Sequence, residues 1–134
     1  MKYKDLRKSH IIFIRDDKQL KNIDFEQFIK TTKTKKETWF FRGCKHITEK
    51  HYTEALKNLQ LSDTKDALLL STLVSFKLAD RYLLENYLEE LRNNTQETHI
   101  LNRYELKIAF TYKNTKVFVT QDNIYRLVSS IFNR

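Results

Sequence analysis

Residues 104 to 112 read Tyr-Glu-Leu-Lys-Ile-Ala-Phe-Thr-Tyr, and Tyr104, Leu106, Ile108, Phe110 and Tyr112 alternate with Glu105, Lys107, Ala109 and Thr111. Successive side chains of a strand point to opposite faces, so this period of two turns one apolar face to a core. Lys113-Asn114-Thr115 then reverses the chain, with Asn114 suited to a left-handed position, and a second strand over 116–120 closes a hairpin. Thr120 caps a helix over 121–132, in which Ile124, Leu127, Val128 and Ile131 keep helical spacing.

On the N-terminal side of the hairpin the pattern changes. Residues 64–92 read as one long helix, apolar nearly all round through Ala67, Leu68, Leu69, Leu70, Leu73, Val74, Phe76, Leu78 and Ala79, then one-sided through Leu83, Leu84, Tyr87, Leu88 and Leu91. Its first half is therefore the central buried helix, and Glu85, Glu89 and Glu90 face solvent. Asn93 to Glu97 is a polar break. A shorter helix over 48–60 puts Tyr52, Ala55, Leu56 and Leu59 on one face, and another over 22–30 does so with Phe25, Phe28 and Ile29. Two β-rich runs remain. Residues 9–14, His-Ile-Ile-Phe-Ile after Ser9, read as a buried strand. Thr38-Trp39-Phe40-Phe41-Arg42 reads as another, ended by Gly43, after a solvated Lys- and Thr-rich loop over 30–36. The fold class these elements imply is α+β, a small antiparallel or mixed sheet packed with helices.

Apolar residues make up 40% of the 134, enough to offset the entropy that keeps polar chains disordered, and the length fits one domain. Gly43 is the single glycine and proline is absent, which excludes glycine-rich phosphate loops and dinucleotide fingerprints. Cys44 is the single cysteine, so no internal disulfide can form. No apolar run approaches membrane-spanning length, and with the lone cysteine this leads us to expect a cytoplasmic protein without a membrane partner.

The net charge of +8 is unevenly spread. Residues 1–50 carry +7, residues 51–100 carry −3 and residues 101–134 carry +4. Clustered positive charge favours a polyanionic or acidic partner, either nucleic acid or an acidic protein surface. The densest cluster holds Lys33, Lys35, Lys36, Arg42, Lys45 and Lys50 around Trp39. Cations on phosphates beside an aromatic face on which a base can stack make these seven residues the expected nucleic-acid-binding set.

Chemistry is harder to find. Cys44, His46 and His51 include zinc-ligand types but lack the paired spacing and fourth ligand of a structural site, so no metal is expected. Nothing orients a histidine to activate Cys44. Glu105-x-Lys107 sets an acid and a lysine on one strand face, as in metal-dependent nucleases, without a convincing partner carboxylate. We expect neither catalytic residues nor a cofactor.

Trp39-Phe40-Phe41-Arg42-Gly43, Asp63-Thr64, Ser71-Thr72, Phe76-Lys77-Leu78-Ala79 and Tyr87-Leu88-Glu89-Glu90-Leu91 resemble, in that order, segments of the RteC family, regulators of excision and transfer in bacterial conjugative elements. The resemblance spans about residues 37–92. It implies a regulatory protein of a mobile element, with a DNA-reading helix-turn-helix expected toward the C-terminus. Residues 93–134 read instead as a hairpin and a helix, so no base-contacting residue carries over. The expected function is a non-enzymatic, nucleic-acid-associated regulator. A small protein-binding inhibitor or adaptor, such as an anti-defence protein, is the alternative, and a minimal nuclease on Glu105 and Lys107 is the third.

Overall fold

Apart from the helix over Tyr52–Ser62, whose cap His51 makes no side-chain bond, the α-helices described here start at short polar side chains that satisfy the first free backbone N–H groups. The computed structural model describes residues 24–93, 97–112, 115–124 and 128. Asp24 caps α1 (Phe25–Lys30) by accepting from the N–H of Gln27 at 3.2 Å. Thr34 caps α2 (Lys35–Thr48) by accepting from the N–H of Glu37 at 3.1 Å. Thr64 does the same for Ala67 at the head of α4 (Lys65–Lys77), which follows α3 (Tyr52–Ser62). Asp80 accepts from the N–H of Leu83 and opens α5 (Arg81–Asn93).

The expected strand over 38–42 is a correction: these residues lie inside α2. Phe40, Phe41, Cys44 and Ile47 are all buried and recur at i, i+1, i+4 and i+7, a helical face that three consecutive aromatics disguise as β sequence. The Thr34-x-x-Glu37 pair, at the end of the Lys- and Thr-rich loop, is the helix start. Gly43 is therefore mid-helix, where it ends nothing. A Cβ on it would stand 2.8 Å from Cγ and Cδ2 of Leu59, so the bare backbone lets α3 pack tightly onto α2. Ser62 at the end of α3 donates its hydroxyl to the Lys36 carbonyl at 2.8 Å and fixes the other end of the pair.

A second correction concerns residues 64–92, which form two helices. The N–H of Ala79 bonds the Phe76 carbonyl and the N–H of Asp80 bonds the Ser75 carbonyl, with Ala79 left-handed at φ 56. This is a Schellman stop without its usual glycine, and Asp80 immediately restarts the chain. The central role expected of the first half stands for Ala67, Leu69, Leu70, Leu73 and Val74, which are buried, whereas Leu78 and Ala79 at the helix stop are exposed. On α5, Leu84, Leu88 and Leu91 face inward while Glu85, Glu89 and Glu90 are exposed.

The fold is α+β, with a three-stranded antiparallel meander of β1 (Glu97–Asn102), β2 (Glu105–Tyr112) and β3 (Thr115–Thr120). Strands β2 and β3 are the expected hairpin; β1 follows the polar break and was not expected. The register sets Thr98 opposite Ile108, and Ile108 opposite Val119 on the other side. Leu106, Ile108 and Val119 are buried. The Gln121 side chain, in the 3-10 turn Gln121–Asn123, accepts from the Leu106 N–H at 2.9 Å and donates to the Tyr104 carbonyl, closing the sheet's end. The strand expected over 9–14 and most of the helix expected over 121–132 lie outside the described residues. Among the described residues no helix is long and apolar enough to cross a membrane.

Two single-methyl substitutions should act with opposite signs. Gly43→Ala gains about 1 kcal/mol of helix propensity but overpacks Leu59, a cost of about 1–3 kcal/mol, and we expect a net destabilisation. Ala79→Gly relieves a left-handed alanine and should gain about 0.5–1 kcal/mol after the unfolded-state entropy is counted. Urea unfolding of the two variants against the parent measures both.

Candidate nucleic-acid interface

The helical form of residues 35–48 reorganises the basic segment. With Phe40, Phe41, Cys44 and Ile47 turned to the core, Lys35, Trp39, Arg42 and His46 follow each other down the outer face at i, i+4, i+7 and i+11. Lys35 and Arg42 are exposed and Trp39 is half-buried. The Arg42 guanidinium lies over the Trp39 indole, 5.2 Å from its centroid, so a cation and an aromatic face share one surface. Trp39 therefore departs from the two phenylalanines that follow it, which are core residues in ring contact at 6.1 Å.

Lys33 and Lys36 are exposed beside Lys35 at the start of α2, where the positive end of the helix dipole adds to their charge. None of the three has an ion-pair partner among the described residues. Lys45 differs. It reaches α1 and pairs with Glu26 at 2.7 Å, so its charge is already partnered. The hydrogen bond and charge of Lys45 hold the Glu26 carboxyl below its ordinary range, and Glu26 raises Lys45 in return. Lys50 sits past the far end of α2, about 20 Å along the axis from Lys35 at 1.5 Å per residue. Of the seven expected residues, then, Lys35, Trp39 and Arg42 share the outer face of α2 and Lys33 and Lys36 are exposed at its start, while Lys45 is held against α1 and Lys50 lies past its far end.

Other candidates separate in the same way. Cys44 is fully buried, and burial followed by the charge of Asp66 pushes its thiol well above the usual range, the reverse of what a thiolate nucleophile needs. It faces the core, away from His46. Glu105 and Lys107 share the sheet face opposite Leu106 and Ile108, with Asn102 and His99 as their β1 neighbours. Among the described residues the group of His, Cys, Asp or Glu side chains close enough to share a metal is His46, Glu49 and His51. Glu105 is not in it. Proximity in sequence pairs the two histidines with Cys44; the residue that joins them in space is Glu49, at the helix end. No family model, curated protein or solved structure matches the chain.

The ion pair gives a direct test of the α1–α2 arrangement. Glu26 should titrate at lower pH than an ordinary glutamate, and Lys45→Gln should return it to the ordinary range; carboxyl carbon shifts followed through an acid titration report both. The sign follows from a depressed folded-state value: the pair's small stabilisation is present at neutral pH and fades as pH falls through the Glu26 midpoint.

Proposed function

We propose that the protein is a non-enzymatic nucleic-acid-binding regulator of the kind carried by mobile elements, and that it touches phosphates through the start and first two turns of α2. The observation that carries this reading is the outward surface of Lys33, Lys35, Lys36 and Arg42, with Arg42 stacked on a half-exposed Trp39. Lysines and an arginine neutralise phosphates, and an aromatic face beside them takes a base that has left its stack. The resemblance of residues 37–92 to the RteC regulators supports the regulatory part of the proposal.

Helices α4 and α5, joined through Leu78-Ala79-Asp80, have the sequential layout of a helix-turn-helix. The outward face of α5 nevertheless carries Glu85, Glu89 and Glu90, which would repel a phosphate backbone. On this reading α5 does not enter a groove, and binding is led by charge and stacking more than by base edges.

A second reading, a protein-binding adaptor, draws on a different surface. Tyr82 is 76% exposed and Tyr104 74%, with Ile100 and Leu101 about half exposed on edge strand β1, and a hollow between Phe76, Leu84 and Ile100 lies near them. Exposed aromatics beside a strand edge that is unpaired among the described residues are what a partner protein can cover.

Replacing Lys33, Lys35 and Lys36 together by Gln should weaken binding at every nucleic-acid sequence. The slope of log affinity against log salt should fall by about one for each phosphate that is no longer neutralised. Trp39→Ala should cost about 1–3 kcal/mol on single strands through weaker stacking. Glu85→Gln with Glu89→Gln should leave binding intact. If the triple variant binds like the parent, the α2 surface is not the interface; if only Tyr104 and Ile100 substitutions abolish capture of a partner, the adaptor reading replaces it.

A further inference from the structure

We infer that the end of α2 is a divalent transition-metal site, with His46, Glu49 and His51 as ligands and Zn²⁺ as the cation it fits best. One ligand atom from each of the three lies within 4.8 Å of the others. His46 Nδ1 is a buried atom with no hydrogen-bond partner among the described residues, 3.9 Å from Glu49 Oε1, too far for a hydrogen bond. The His46 and His51 rings stand 5.9 Å apart. Bonds of about 2.0–2.2 Å in a tetrahedral shell put neighbouring ligand atoms about 3.4 Å apart, so closing the site takes movements of about 1 Å in three side chains.

The backbone holds these residues in place before any metal arrives. Lys50 is left-handed at φ 62, its N–H bonds the Ile47 carbonyl at 3.0 Å, and the His51 N–H bonds the His46 carbonyl at 2.8 Å. This Schellman reversal folds His51 back beside His46, while Glu49 is the helix cap between them. The same helix end presents the negative pole of the dipole, which favours a cation. Two imidazoles and one carboxylate suit Zn²⁺ and its neighbours Ni²⁺ and Cu²⁺ better than Mg²⁺ or Ca²⁺, which prefer all-oxygen shells. Three protein ligands leave one position for water or for a group from a binding partner. Cys44, although nearby in sequence, takes no part because it faces the core.

Calorimetric titration of the full chain with ZnCl₂ tests this, alongside His51→Gln, Glu49→Gln and Cys44→Ala, with far-UV circular dichroism confirming that each variant is folded. The parent should bind one equivalent, and Mg²⁺ should not compete. His51→Gln and Glu49→Gln should each weaken binding by roughly tenfold or more, since even outer-shell partners of a metal carry effects of that size. Cys44→Ala should bind as the parent does. Zn²⁺ should raise the melting temperature of the parent and of Cys44→Ala but not of the two ligand variants. No saturable binding, or binding that survives both ligand substitutions, overturns the site. So does binding abolished by Cys44→Ala alone.

Discussion

The close approach between the backbone of Gly43 and the Leu59 side chain governs how α2 and α3 lie against each other. A Cβ on Gly43 would stand 2.8 Å from Leu59 Cγ and Cδ2, closer than side chains pack, so the two helices meet here through bare backbone on one side and a branched aliphatic on the other. That closeness buries Phe40, Phe41, Cys44 and Ile47 on the inner side of α2. What remains on its outer side is decided by the same rotation: Lys35, Trp39, Arg42 and His46. A helix has only one way to hide four residues spaced as these are, and the proposed nucleic-acid surface is its complement.

A chain with one glycine, used in a helix interior, must end its helices by other means. Lys50, Asp63 and Ala79 all adopt positive φ where glycine is the usual choice. Each position stores a modest steric cost of about 1 kcal/mol, and each produces a sharp reversal. The reversal at Lys50 brings His51 to His46. The one at Asp63 lets Thr64 cap the central helix. The one at Ala79 divides what sequence periodicity reads as a single helix and orients α5 with its acidic side outward. Surface chemistry and backbone geometry are thus set together at the helix ends.

Much of this is readable from residues alone, and the failures have physical causes. The period-two run in β2 is plain because Leu106 and Ile108 are buried on one face while Glu105 and Lys107 on the other keep partial exposure. The buried character of α4 is equally plain, since apolar side chains fill most positions of its first half. Residues 38–42 mislead because Trp-Phe-Phe has strong β propensity, which outweighs the quieter helical signals of the Thr34 cap and the spacing of Phe40, Phe41, Cys44 and Ile47. Strand β1 escapes notice because Ile100 and Leu101 are both exposed and show no alternation. For the candidate sites, the basic and aromatic residues of α2 are legible in the sequence but their division is not. That Lys45 turns to Glu26, or that Glu49 joins two histidines, depends on which face each residue occupies and on a left-handed lysine that carries no local signal.

The proposed function rests on a division of surfaces: cations and a half-exposed indole on α2, carboxylates on α5, exposed apolar groups around β1. The most direct measurement is amide and indole chemical-shift mapping of the labelled protein titrated with a short oligonucleotide at near-physiological salt. The largest shifts are expected at residues 33–42 and at the Trp39 indole N–H, with α5 unmoved. Shifts confined to α5 and β1, or none at saturating oligonucleotide, would contradict the assignment of α2 as the nucleic-acid surface.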